Sequence, residues 1–292
     1  MMNLGPIGIW SLSFLAHPDK GEIAEAAAEL EDLGFGALFM PGWAGGDEIF
    51  PSLERLLAAT EFVPVVSGVV NIWKHTPEDV ATAYASFERE HPGRFHLGLG
   101  ISHEVYEPVR YRRPVATMGA YLDELDRAER PDLRERRLLG ALGPRMLDLA
   151  RERTAGSHTY LAPVEHTRSA RERLGPDAVI AVEQHIVLEA DATTAREQAR
   201  ASMADYLTLP NYTNNLLRHG FDEDDLRDGG SDRLVDAIVV WGDDDAIAQR
   251  VAAHREAGAS HVCLQVVGGV EATLPRESWR RLAALTDKGI TK

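Results

Sequence analysis

Three short stretches of this chain place glycine and polar residues where an apolar run ends. The first is Ser67-Gly68-Val69 with Asn71, inside "PVVSGVVNIW"; the second is Gly100-Ile101-Ser102-His103; the third is Gly140-Ala141-Leu142-Gly143, followed by Pro144 and Arg145. None of them supplies a metal site, which needs several His or carboxylate groups converging. The histidines are scattered and the first apolar run holds no His-x-His. Nucleophilic catalysis lacks a Gly-x-Ser-x-Gly elbow, and adjacent Ser102 and His103 are too close in sequence to serve as nucleophile and base. A Schiff-base lysine is absent from the apolar runs, Lys74 lying past the end of one. What remains is backbone and aromatic surface, which suits a flat bound ring that carries the chemistry itself.

Each stretch has a plain structural explanation beside the functional one. Glycine weakens a strand and packs nothing, so Gly68 either lets the main chain bulge toward a ring or makes room for a neighbour such as Trp10 or Phe39. Gly143-Pro144 opens a helix whose first N–H groups, with Arg145, suit an anion; a tight turn with nothing bound accounts for the same residues. Gly98-x-Gly100 lacks the third glycine of a dinucleotide fingerprint. His103 is suited to give or take a proton near neutral pH, or is a satisfied structural histidine. Trp43, Trp73, Tyr160, Tyr206 and Tyr212 either wall a substrate pocket or pack as core and rim. "NYTNN", Asn211 to Asn215, either caps that pocket or is turn chemistry.

The elements that must position these residues alternate from end to end. Short β-branched runs, "IGIW", "GALFM", the Pro64–Trp73 stretch, "RFHLGLGIS", "RRLLGALG", "SHTYLA", "AVIAVEQHIVLE" and "HVCLQVV", are each followed by sequence of helical period. Boundary signals are explicit. Lys20 to Leu33 spaces Ile23, Ala27 and Leu30 on one face before Gly34, and Thr76, Pro77 and Glu78-Asp79 open a helix as N-cap, first turn and dipole partners. Eight such units point to a closed (β/α)8 barrel over an open doubly wound sheet, as one domain over 1–292. A helical insertion follows the seventh strand, where "YLTLPNYTNNLLRHGFDEDDLRDGGS" is the least regular region, and a helix pair follows it. In such a barrel the active site lies at the carboxyl ends of the strands.

Composition bounds the partners. With 44% hydrophobic and 26% charged residues the 292-residue chain is ordinary globular protein, and a formal net charge of -15 disfavours nucleic acid and anionic membrane. No basic segment leads into a long apolar run at the start, and no run is long enough to span a bilayer. The one cysteine, Cys263, sits in "HVCLQVV" without a partner and reads as a small core residue of a reduced, cytoplasmic protein.

"SGVVNIWKHTPEDVA", "HLGLGISH", "LGALGPRMLDLARERTAGSHTYL", "LPNYTNNLLRHGF" and "DRLVDAIVVWGDDDAIAQRV" together resemble the bacterial-luciferase-like barrels, in their actinobacterial branch of coenzyme F₄₂₀-dependent oxidoreductases. The resemblance implies an 8-hydroxy-5-deazaflavin at the carboxyl face, a homodimer, and a non-prolyl cis peptide in the third strand, matched here by Gly68–Val69. It implies a phosphate-binding segment at Gly140 to Gly143, with Leu142 where glycine is frequent, and a ring-lining segment at Gly100 to His103. Sugar-phosphate dehydrogenases of this fold place an acid and a histidine where His103 and Gly42 stand, so that substrate is not expected. His103 is then the expected proton donor or acceptor. The expected cofactor site comprises Gly42, Ser67, Gly68, Val69, Asn71, Gly100, Ile101, Ser102, Gly140, Ala141, Leu142, Gly143 and Arg145. Trp43, Tyr160, Tyr212 and Asn215 are the residues expected to face a small-molecule substrate. Two rival readings stay open: an FMN-dependent monooxygenase on the same barrel, and a cofactor-binding barrel that has lost catalysis.

Overall fold

The computed structural model describes residues 2–42, 49–128, 131–270 and 272–287. Its strands are β1 (Ile7–Trp10), β2 (Leu38–Met40), β3 (Val65–Ser67), β4 (Val70–Asn71), β5 (Phe95–Gly100), β6 (Arg137–Gly140), β7 (Gly156–Thr159), β8 (Val179–Val187), β9 (Val239–Trp241) and β10 (His261–Val266). β1, β2, β3, β5, β6, β7, β8 and β10 pair in that order, all parallel, and β10 closes the ring on β1. This is the eight-stranded barrel that the alternating sequence implies.

The boundary signals act as read. Asp19 accepts from the Gly21 and Glu22 amides at 2.7 and 3.2 Å, and its helix, Lys20–Asp32, buries Ile23, Ala27 and Leu30 before Gly34 turns the chain at φ 81°. Thr76 and Asp79 form a reciprocal capping box on the helix Pro77–Glu90. Each such cap is worth about 1 kcal/mol.

Several strands end earlier than their apolar runs. β6 stops at Gly140 rather than running on to Gly143, and β7 stops at Thr159, leaving Tyr160 and Leu161 beyond it. The segment expected as a helix pair holds a short strand, β9, which pairs through Val239 to Trp241 with the end of β8. Val-Val-Trp is a β-rich run that follows directly on the helix Asp232–Ile238, so the strand is hidden in the helical reading.

Side chains alternate across the barrel wall with period two. On β5, Phe95, Leu97 and Leu99 join the core under the helices, which turns His96, Gly98 and Gly100 inward. On β8, Ile180, Val182 and Ile186 face that same outer core, while Val179 and Ala181 join Trp10, Phe39, Val66, Leu138 and Cys263 inside the barrel. Glu183 and His185 continue this inner row to the carboxyl end. Lower in the barrel, the Phe39 ring packs against His261 and His158 at 5.3 and 4.9 Å.

Candidate active site

The third strand of the ring is interrupted. Between β3 and β4 the chain steps out at Gly68–Val69, a cis bond, and rejoins the ladder with Val70 opposite Leu99 and Asn71 opposite Gly100. Ser67 fastens the lower edge of the step: its hydroxyl donates to the Gly98 carbonyl at 3.0 Å and accepts from the Gly98 amide at 2.8 Å. Asn71 fastens the upper edge, its side-chain oxygen accepting from the Trp73 amide at 3.0 Å. Gly68 and Val69 keep partial exposure at the mouth.

Glycines clear the space this step needs. A Cβ on Gly100 would lie 2.3 Å from Val69 Cγ2, one on Gly98 2.0 Å from the Ser67 carbonyl oxygen, and one on Gly42 2.6 Å from the Val69 carbonyl oxygen. Gly68 is itself a spacer, since a Cβ there would sit 2.9 Å from Trp10 Nε1 and 3.2 Å from His158 Nε2. The indole N–H of Trp10 donates to the Gly68 carbonyl at 3.3 Å. Room for Trp10 therefore explains Gly68, and the step of the main chain stands beside that explanation.

Gly140 and Gly143 differ from those four. Neither has a positive φ, a Cβ on Gly140 would make only ordinary contacts at 3.6 Å and beyond, and one on Gly143 would meet nothing within 4 Å. Neither backbone conformation nor packing asks for glycine at these positions. Gly143 precedes the helix Pro144–Arg153, and Arg145 is exposed beside that N-terminus. Of the other expected cofactor residues, Ile101 and Ala141 pack into the core under the helices and Leu142 packs against the insertion. Ile101 and Ala141 thus lie behind the mouth, as the Ser67 side chain does.

The opposite side of the mouth is aromatic. Trp10, Tyr160, Tyr206 and Tyr212 form a chain of ring contacts at 5.2 Å (Trp10–Tyr160), 5.2 Å (Tyr160–Tyr206) and 5.3 Å (Tyr206–Tyr212). The Tyr160 and Tyr206 hydroxyls bond each other at 3.0 Å. Burial, and after it the neighbouring tyrosines and Glu183, push the Tyr160 and Tyr212 hydroxyls well above the ordinary range, so both stay protonated donors. Below them Glu183 and His185 pair at 2.8 Å, both buried.

His103 joins the two sides. Ser102 turns the chain at φ 60°, and the His103 ring then lies 5.5 Å from Tyr212 and 5.9 Å from Tyr106. Its Nδ1 is 2.9 Å from Asn211 Oδ1. With an oxygen as partner, Nδ1 carries the proton and Nε2 the lone pair. Burial lowers the His103 pKa below the usual value, against the raising effect of the Asn211 bond, and keeps the ring a neutral proton acceptor.

In the sequence, Asn211 reads only as part of a possible cap, and Trp10 and Glu183-Gln184-His185 stand at strand ends without a defined role. The period-two row Val179, Ala181, Glu183, His185 was the available signal for the last pair. Asn215, on the helix Pro210–Arg218, is fully buried with no partner for either amide atom. Trp73 is a rim residue, its indole N–H on the Ile101 carbonyl at 2.7 Å and Arg110 over its ring. Trp43 lies outside the described residues. Cys263 is buried, and burial raises its thiol pKa well above the usual value.

Among the described residues no group of three or more His, Cys, Asp or Glu could hold a metal ion, and no helix is long and apolar enough to cross a membrane. Two cavities lie away from the mouth. One of about 250 Å³ sits at the amino-terminal floor by Leu4, Arg255 and His261, and one of about 590 Å³ lies between the helices Pro77–Glu90 and Pro114–Arg127.

Comparison with known proteins agrees with this geometry. Residues 6–130 match the luciferase-like monooxygenase family. A Mycobacterium tuberculosis protein provisionally named a coenzyme F₄₂₀-dependent oxidoreductase is 29% identical over 170 residues, covering 56% of this chain and 46% of that protein. The chain thus spans less than half the length of that curated relative. Among solved structures, an F₄₂₀-dependent secondary alcohol dehydrogenase in complex with an F₄₂₀-acetone adduct superimposes with a TM-score of 0.73 at 14% identity, over 96% of this chain and 98% of the other. The oxygenating constituent of 3,6-diketocamphane monooxygenase from a Pseudomonas putida plasmid, in complex with FMN, gives 0.71 at 12% identity, over 100% and 99%. At those identities the structural matches show the fold, and the family match covers residues 6–130 of the chain.

Proposed function

We propose that this luciferase-like barrel is an oxidoreductase that binds coenzyme F₄₂₀ at its carboxyl face and passes a hydride between the deazaflavin and a small organic substrate. The observation that carries the reading is the two-sided mouth: exposed backbone and unrequired glycines on one side, tyrosine hydroxyls and imidazoles on the other. The relative named for this coenzyme and the fold shared with an F₄₂₀-dependent dehydrogenase support the choice of ring. A deazaflavin has carbon in place of N5 and, when bound, supplies hydride exchange at that carbon.

The chain's own residues then have separable tasks. Gly68 and Val69 offer a partly exposed backbone face, with Gly100 making room for Val69 and the Ser67 and Asn71 hydrogen bonds supporting it from behind. Gly140 and Gly143 leave the backbone before Pro144 open, and Arg145 adds the charge that a phosphate needs in a strongly acidic protein. Tyr160 and Tyr212 wall the substrate side and, with the insertion, exclude water. His103 gives or takes, at Nε2, the proton that the cofactor ring exchanges as the hydride moves, while Asn211 fixes the imidazole. Holding the reacting carbons within roughly 3 to 3.5 Å is the protein's main contribution to rate.

Fluorescence titration with the deazaflavin and with FMN tests the cofactor, followed by bleaching of the deazaflavin absorbance on adding alcohols, enones or imines. Submicromolar deazaflavin binding with turnover is the expected result. Tight FMN binding without deazaflavin binding overturns it in favour of a monooxygenase, the reading the fold shared with an FMN-complexed enzyme favours. Tight binding without turnover across the panel overturns the catalytic assignment.

A further inference from the structure

Glu183 and His185 make a pair that the tasks above do not use. Both stand on the inward row at the carboxyl end of β8, and both are about 1% exposed. The Glu183 carboxylate accepts from His185 Nδ1–H at 2.8 Å and from the Leu161 amide at 3.2 Å. Leu161 holds a left-handed φ of 50°, rare for a γ-branched residue, in the turn that aims its amide at the carboxylate. The second ring nitrogen, His185 Nε2, is buried without a partner. Its ring stands edge-on to Tyr160 and Tyr206, at 5.4 and 6.4 Å.

Other buried histidines here also leave one ring nitrogen unpartnered, but His158 and His261 rest the other on a main-chain carbonyl, of Ala181 at 3.0 Å and Gly5 at 2.9 Å, whereas His185 rests it on a carboxylate. An imidazole with a carboxylate behind it and an open nitrogen in front is instead the arrangement that orients a base and stabilises it once protonated.

We propose that Glu183 and His185 are the acid–base pair for the substrate's oxygen, and that the substrate is an alcohol or carbonyl compound whose oxygen reaches His185 Nε2 beside the Tyr160–Tyr206 hydroxyls. In the oxidative direction the substrate O–H bond breaks and its proton passes to Nε2. The C–O bond gains its second component as the carbinol hydride leaves for the acceptor of the reading above, on which this inference rests for that destination alone. In the reductive direction the same proton returns to the new alkoxide oxygen. Glu183 acts through His185 and is a positioning residue. The titratable groups facing the pair are Tyr160 beyond β7, Tyr206 and Tyr212 from the insertion, His158 on β7, and Cys263, opposite Glu183 on β10.

The test joins two readouts. Long-range ¹⁵N–¹H imidazole spectra of the cofactor-free protein, with His185→Gln to assign the resonance, report the tautomer directly. The expected wild-type spectrum shows a single form protonated at Nδ1, and Glu183→Gln converts it to a mixture. In the loaded enzyme, His185→Gln and Glu183→Gln lower kcat about 10² to 10⁴-fold with deazaflavin affinity held within about twofold, and Glu183→Asp recovers part of the loss. Mixed tautomers in the wild type that ignore Glu183→Gln, or kcat kept within about threefold in folded His185→Gln, overturn the proposal. A wild-type protein that takes up no deazaflavin sinks the functional reading instead, and the imidazole spectrum alone then decides the pair.

Discussion

The two sides of the barrel mouth are built from opposite materials. From β2 to β6 the carboxyl ends carry Gly42, Gly68, Gly100, Gly140 and Gly143, and hydrogen bonds there are mostly spent on fixing main chain. From β7 round to β1 they carry Tyr160, Glu183, His185 and Trp10, with Tyr206 and Tyr212 laid over them. The first side has shape and few side-chain functional groups; the second has hydroxyls, an imidazole and a carboxylate. The difference teaches that one face is made to be lain against and the other to exchange protons. Within the first side a further division holds, since Gly42, Gly98 and Gly100 make room for protein whereas Gly140 and Gly143 do not.

The largest expected effect tests that division. Gly98→Ala drives a Cβ to 2.0 Å from the Ser67 carbonyl oxygen, a backbone atom that cannot swing aside. Urea denaturation should show a loss of about 3 kcal/mol or failure to fold, while Tyr160→Phe across the mouth, which removes one hydroxyl bond, should cost about 1 kcal/mol. Equal losses would erase the contrast.

Acid acts on buried histidines of both the barrel and its helices. Burial lowers His96, His166 and His261 to about 4 and His254 to about 3, so between pH 6.5 and about 4 the unfolded chain binds protons that the native one refuses. Stability therefore falls as pH falls through that window, by about 1 to 2 kcal/mol for each histidine between pH 7 and 5. Thermal melts at the two pH values check it; an unchanged midpoint would mean that these rings protonate in place.

His103→Gln sharpens the functional side of the comparison. It should lower kcat about 10² to 10³-fold with cofactor affinity unchanged, and Asn211→Ala about tenfold, since one orienting bond of 2.9 Å is lost. Loss of affinity in place of rate would move His103 to the ring-binding side. The smallest effects belong to Gly143→Ala and Arg145→Gln. Each should leave stability within about 0.5 kcal/mol yet weaken deazaflavin binding about 3- to 10-fold, the arginine's share shrinking at high salt. Unchanged affinity in both would leave the glycines of that turn without a ligand to explain them.

Much of the fold was legible because its signals are local. Thr76, Pro77 and Pro144 mark helix starts within one turn of themselves, and β-branched runs announce the strands. β9 was not legible, because three residues abutting a helix carry too little period to separate from it. Of the site, His103 and the glycine stretches could be named, but their partners could not. Asn211 lies 108 residues from His103, and Trp10 lies 58 from Gly68. Only the ring closure brings such pairs together, and only it shows that Ser67 and Ile101 are spent on support. The inner row ending in Glu183 and His185 was readable by period two alone.

A crystal structure of the protein grown with coenzyme F₄₂₀ tests the account most directly. The ring is expected within van der Waals distance of Gly68, Val69 and Gly100, its phosphate toward Gly143 and Arg145, and its free face toward Tyr160 and Tyr212. A ring seated over the tyrosines with the glycine side bare, or carried in the floor cavity by Arg255, would contradict the division of labour across the mouth.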